Sequence, residues 1–196
     1  MTVDPAVCGE RMADESLLVD AQGGLRNAVV VLRAASAPAP TPVPEAPVVV
    51  DNAGCRFVPR VQLVRRGQTV RVHNADSVLH NARADVVGPP DVPVANLALS
   101  RAGITMDLTR RLTARLPENR PETVVRLGCD VHPWMRGWLV VLDQGFAAVT
   151  DASGHYTIAD VPEGRYTLSV WHEVLGRRER QLEVSKSGTL RADEKF

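Results

Sequence analysis

Three side chains with soft or borderline donor atoms crowd into one heptapeptide, CDVHPWM, running from Cys129 to Met135. The chain has only three cysteines and four methionines, so a thiol, an imidazole and a thioether at Cys-x-x-His-x-x-Met spacing ask for an explanation. Three are open: a redox-active copper loop, half of a zinc site, or an apolar turn with a free thiol. Thiolate, imidazole and thioether together suit copper cycling between its two oxidation states. Zinc wants four firm donors in a tetrahedron, and a thioether is a poor one. The loop supplies three donors, so a metal reading requires a fourth from another part of the chain.

The fourth donor is sought upstream, in RRGQTVRVHNADSVLHNARA, which holds His73 and His80. His80 is the better candidate because it lies just past a strand and turn and is followed by Asn81. An Asn beside the upstream His can hydrogen-bond the cysteine-bearing loop and hold the two halves of a site together. His73 falls inside the strand-like TVRVHN and reads as solvent-facing or hydrogen-bonded. His155 sits beside a turn and reads as exposed, and His172 in VWHE reads as structural. Pro133 stiffens the loop. Pro133 and Trp134 would form an apolar rim, with Arg136 adding positive charge, and an exposed edge of His132 would be the path for electrons.

Positioning such a loop requires strands, and strands dominate the chain. NAVVVLR, QTVRVHN, TVVRLGC, WLVVLD, HYTIAD and RYTLSVW are rich in β-branched or aromatic residues, and turn signals such as RRGQ, PENRP, DASG and PEG separate them. No segment carries a helical stripe of useful length. Many short strands with frequent turns imply an all-β chain of sandwiches or barrels. TVVRLG would end at Cys129, and GWLVVLD would lead back into the sheet. The arginine-rich LTRRLTARLPENRP between His80 and Cys129 gives no clear strand.

The two ends of the chain have a different pattern. Residues 34–47, AASAPAPTPVPEAP, alternate prolines and read as an extended spacer. The stretch AVTDASGHYTIADVPEGRYTLSVWHE reads as strand, turn at Asp151 and Gly154, strand with Tyr156 and Ile158, turn at Pro162 and Gly164, and strand with Tyr166, Leu168 and Val170. It resembles the second half of a carboxypeptidase regulatory-like domain, a small transthyretin-like β-sandwich. The first half of that pattern appears near the N-terminus, as AQGGLRNAVVVLR at 21–33. The expected organisation is therefore discontinuous: residues 1–46 and 145–196 form the regulatory-like sandwich, and residues 47–144 form a second β-domain inserted into it.

CRFVPRVQLVRRGQTVRVHNADSVLHN followed by CDVHPWMRGWLVVLD resembles a cupredoxin, a Greek-key β-sandwich, with the short ligand loop of the amicyanin and plastocyanin-like, methylamine-utilization-related proteins. The resemblance implies that His80, Cys129, His132 and Met135 are ligands to one type 1 copper, and that Asn81 is the hydrogen-bonding neighbour. It implies a periplasmic or otherwise exported protein that carries single electrons between redox partners met by transient docking.

Composition supports the narrower choices. Basic and acidic residues balance at 23 each in a chain of 196 residues, which argues against an electrostatically driven nucleic-acid binder. No apolar run is long enough to span a bilayer. No leader opens the chain, and an export signal is read as already removed. Cys8 and Cys55, each beside glycine in a turn-like setting, could pair in an oxidising compartment, closing a loop worth about 4 kcal/mol; unpaired thiols are the alternative. Five histidines less two ligands leave three, too few and too scattered for a multicopper cluster, and no other catalytic motif is present, so a stand-alone enzyme is not expected. The other functions weighed are copper carriage or sequestration without electron transfer, and an extracellular binding module. The second would contact glycans or protein, and few aromatic residues for stacking weaken its glycan version.

Overall fold

The computed structural model describes residues 3–34, 42–186 and 188–196. Residues 35–41 of the proline-rich stretch lie outside the described residues. In chain order the elements are α1 (Pro5–Cys8), β1 (Val29–Ala34), β2 (Val48–Asn52), β3 (Phe57–Val58), β4 (Val61–Arg65), β5 (Val70–Asn74), β6 (His80–Val86) and β7 (Val92–Leu99). There follow β8 (Thr105–Asp107), α2 (Thr109–Thr113), β9 (Glu122–Gly128), β10 (Arg136–Leu142), β11 (Ala147–Val149), β12 (Gly164–His172) and β13 (Gly176–Val184). Among the described residues the fold is all-β apart from two short helices. One of these, α2, takes up part of the arginine-rich segment that shows no strand pattern. No helix among the described residues is long and apolar enough to cross a membrane.

The chain divides into two compact units, one drawn from Met1–Asp14 and Pro42–Asp143, the other from Glu15–Thr41 and Gln144–Phe196. The first unit holds two sheets, ordered β4-β10-β9-β6-β7 and β3-β2-β5-β8. Alternation places Val70 and Val72 of β5 inward, with Arg71 exposed and His73 half-buried between and beyond them. Val125 and Leu127 of β9 and Leu139 and Val141 of β10 meet Val50, Val70 and Val72 in one core, which makes this unit a sandwich. Residues 3–14 belong to this unit rather than to the segment 1–46 expected of the other domain. The physical tie is a disulfide between Cys8 and Cys55, with Val7 and Cys8 packed into the same core.

The second unit is built on one sheet, ordered β11-β1-β12-β13. Val29–Val31 pair antiparallel with Ser169–Trp171 on one side and with Ala147–Val149 on the other. Val30, Leu32, Tyr166, Leu168 and Val170 bury against Phe146. HYTIAD is not a strand, contrary to its β-rich composition. Residues 155–159 carry no ladder, yet Tyr156 and Ile158 still pack on this core, and the Tyr156 hydroxyl donates to the Ala192 carbonyl at 2.6 Å. Apolar anchoring without a neighbouring strand leaves that stretch irregular. Asp151 organises the preceding turn, its side chain accepting from the N–H groups of Ser153 and His155 at 2.8 and 2.9 Å.

That turn presses against the 20–25 loop so closely that glycine is required on both sides. A Cβ at Gly24 would lie 2.2 Å from the Ser153 carbonyl oxygen, and one at Gly154 would lie 2.7 Å from the backbone of Gly24 and Leu25. Gly154 also has φ +74°, where side chains are strained. Gly154→Ala is expected to destabilise this unit by roughly 2–4 kcal/mol, against near-neutrality for an exposed substitution such as Ser153→Ala. Thermal unfolding of the two variants checks this.

Candidate metal centre

The site is assembled by strand pairing. In the five-stranded sheet β9 lies between β10 and β6, antiparallel to both. Arg83 of β6 pairs with Gly128, the last residue of β9. His80, at the start of β6, and Cys129, just beyond β9, therefore reach the same end of the sheet although 49 positions separate them. The connection from β9 to β10 is the loop 129–135, closed by the Met135 N–H donating to the His132 carbonyl at 2.9 Å.

Asn81 joins the two halves. Its backbone N–H donates to Cys129 Sγ at 3.4 Å, and its Oδ1 lies 3.3 Å from the same sulfur and accepts from the Asp130 N–H at 2.7 Å. Its Nδ2 donates to Asn96 Oδ1 at 2.7 Å and to Asp130 Oδ2 at 3.0 Å. Arg83 pairs with Asp130 from the other side.

Three donors converge here. Cys129 Sγ lies 4.0 Å from His80 Nδ1 and 3.7 Å from His132 Nδ1, and the two imidazole centroids are 4.6 Å apart. Donors that share one ion at about 2.0–2.3 Å stand roughly 3.5–4 Å from each other at trigonal or tetrahedral angles. His80, Cys129 and His132 thus form a group that could hold a metal ion, and all three are buried. Met135 is buried in the same core. Pro133 is exposed, Trp134 is half-buried and Arg136 is exposed at the start of β10.

Each imidazole presents Nδ1 towards the sulfur because its other nitrogen is engaged by a carboxylate. His80 Nε2 lies 2.9 Å from Asp76 Oδ2, and His132 Nε2 lies 3.1 Å from Asp4 Oδ2. An Nε2–H held by a carboxylate leaves the Nδ1 lone pair free for a ligand. Asp76 is itself clamped by the N–H groups of Gly54 and Cys55, both at 2.8 Å. Sequence reasoning missed both acids. Asp76 carried a signal, an acid four residues before a candidate ligand, whereas Asp4, 128 positions from His132, carried none.

One expectation is overturned. His132 has no exposed edge: it is 0 % accessible, with Asp4 Oδ2 3.1 Å from its Nε2 and one of its ring nitrogens within 4.8 Å of both sulfurs of the Cys8–Cys55 bridge. Trp134 flanks the ring instead, at 5.2 Å between centroids, and its indole N–H donates to the Cys55 carbonyl at 3.2 Å. The remaining histidines lie outside this cluster. His73 Nδ1 is 2.7 Å from Asp51 Oδ1, His155 is exposed, and His172 is buried in the second unit, where its Nδ1 accepts from the Val174 N–H at 3.3 Å.

No protein-family model matches the chain, and no curated protein matches it. Similar solved structures exist. A copper-containing nitrite reductase from Thermus scotoductus SA-01 is 24% identical over 56% of this chain, with TM-score 0.36; the chain spans only 25% of that protein's length. Amicyanin from Paracoccus versutus is 19% identical over 56% of this chain and 96% of its own, with TM-score 0.38. A purple cupredoxin from Nitrosopumilus maritimus is 23% identical over 50% of this chain and 99% of its own, with TM-score 0.34. Likeness of this extent carries no argument about function, which rests on the donor geometry.

The metal-free site is expected to be pH-sensitive. Burial lowers the His80 pKa below its ordinary 6.5, outweighing the contact with Asp76. Burial alone would raise Asp76, but the N–H donors of Cys55 and Gly54, with His80, hold it below 3.8. In both cases the unfolded chain binds the proton first, so stability rises with pH. The metal-free protein is expected to lose stability as pH falls below about 6.5 and again below about 3.8. Denaturant midpoints across pH check this, and His80→Gln should flatten the first step.

Proposed function

We propose that this chain binds one copper ion through His80 Nδ1, Cys129 Sγ and His132 Nδ1, with Met135 as a weak fourth donor, and carries single electrons between protein partners. The observation that carries the reading is the pair of imidazoles whose Nδ1 atoms face one cysteine sulfur while carboxylates occupy both Nε2 atoms. Two imidazoles, a thiolate and a thioether suit copper in both oxidation states. When bound, copper would supply a one-electron couple.

The chain's own residues do the rest. Asp76 and Asp4 fix the imidazole tautomers, which limits rearrangement on electron transfer. The Asn81 N–H on Cys129 Sγ and the neighbouring Asn81 Oδ1 set the polarity around the sulfur, a lever on reduction potential. Burial of all three donors excludes water. A buried, fully partnered site favours an electron carrier over a copper donor, which needs ligands that open. Trp134, beside His132, and exposed Arg136 are the groups we assign to partner contact, in a small and transient interface.

The disulfide favours an exported, periplasmic location. We read residues 42–143 of the first unit as a cupredoxin domain inserted into the second, taken as a carboxypeptidase regulatory-like sandwich, with residues 3–14 added to the first unit from the N-terminal side. The pairing of β1 with β12 across the intervening segment supports that division.

Cu(II) added to the metal-free protein should produce an intense visible charge-transfer band. Cys129→Ala should abolish it and Met135→Ala should shift it. A colourless protein that holds zinc as tightly as copper would sink the proposal. A blue protein that surrenders its copper quickly to a mild chelator would favour carriage or sequestration instead.

A further inference from the structure

Residues 4–8 do not trail from the fold. Cys8 is buried and bonded to Cys55, Val7 packs on the first unit's core, and the single helical turn α1 is closed by the Gly9 N–H donating to the Pro5 carbonyl at 2.9 Å. Asp4 begins that turn in the left-handed region, φ 54°, a conformation Asp and Asn adopt more readily than other non-glycine residues. From there its carboxylate reaches His132 Nε2 at 3.1 Å while its side chain stays 40% exposed. The acid stands between the ring and solvent.

The other end of the staple is fixed to the opposite imidazole. Cys55 also has a left-handed backbone, φ 55°, and its N–H and that of Gly54 are held by Asp76, which contacts His80 Nε2. The Cys55 carbonyl accepts from the Trp134 indole. The disulfide therefore joins the carboxylate that orients His80 to the segment that carries the carboxylate orienting His132. Both bridge sulfurs lie within 4.8 Å of a His132 ring nitrogen, so the bridge itself forms part of the wall over that ring.

We propose that residues 3–9 form a disulfide-stapled cover that closes the Nε2 edge of His132, with Asp4 as the residue that positions this imidazole. The cover holds the tautomer that turns Nδ1 towards Cys129. It also denies a docking partner or a chelator direct approach to the ring. As control of metal retention it rests on the copper reading above, but the cover can be tested without a metal.

The full-length, metal-free protein is treated briefly with diethylpyrocarbonate, which acylates accessible imidazoles, and each histidine is followed by peptide mass mapping. In the native chain exposed His155 should react promptly, and His132 should be as protected as buried His80. In Asp4→Ala, and in the Cys8→Ala/Cys55→Ala pair, His132 acylation should rise roughly tenfold or more while His80 stays protected, the signature of local opening. Asp4→Asn keeps an acceptor and suits the left-handed backbone, and should restore protection to near the native level. That rescue separates a positioning role from a general loss of packing.

Acylation of His132 as fast as His155 in the native protein overturns the cover. So does an unchanged His132 rate in Asp4→Ala. If the cysteine pair also exposes His80, that variant has unfolded, and the Asp4→Ala and Asp4→Asn comparison decides. On the copper-loaded protein, Asp4→Ala should speed metal loss to excess chelator by a similar factor. If the acylation pattern holds and copper does not bind, the copper reading fails while the cover stands.

Discussion

Asn81 is the joint on which the site depends. Without it, the 129–135 loop is a hairpin connection and His80 is the first residue of a neighbouring strand. With it, the backbone of β6 donates to the cysteine sulfur and the side chain takes the N–H of the next loop residue. The amide is itself held by Asn96 and Asp130, and Asp130 by Arg83. Because these partners come from two adjacent strands and the loop, the sulfur is positioned by the sheet rather than by the loop's own conformation. That rigidity would suit a redox ion that must find nearly the same surroundings in two oxidation states.

A second layer follows from the carboxylates. An imidazole offers two different nitrogens, and the one left for a ligand is set by what holds the other. Asp76 does this for His80 at the cost of being largely buried, a cost met by two backbone N–H donors. Asp4 does it for His132 from half-exposed ground, through a segment that packs on the core and is tied by Cys8–Cys55. One disulfide thus connects the supports of both rings, and its place beside the site gives it a role beyond constraining the unfolded chain.

The second unit follows different rules. Its sheet places β1 between β11 and β12, so the N-terminal strand is central although its partners come from the last third of the chain. β13 is an edge, and most of its residues, including Arg177, Arg178, Glu179 and Arg180, are exposed. Charged side chains along an exposed edge discourage further strand pairing. Its turns are specified tightly, by the Asp151 side chain and by the mutual approach of Gly24 and Gly154.

Local chemistry was legible in the sequence. Alternating β-branched residues marked most strands, and Asp-x-x-Gly marked its turn. The Cys-x-x-His-x-x-Met loop marked Cys129 and His132, which the structure brings together with His80, because groups on one hairpin are neighbours in sequence as in space. His80 with Asn81 could be named because strand, turn and His-Asn make a local pattern. HYTIAD misled, since composition reports a preference for extended backbone but not whether a neighbouring strand is there to pair with it. The tertiary structure alone decided which nitrogen of each imidazole faces the sulfur, that Asp76 and Asp4 hold the others, and that His132 is closed off. Those features depend on groups brought together from distant positions by strand register and one disulfide, and no local spacing encodes such a meeting.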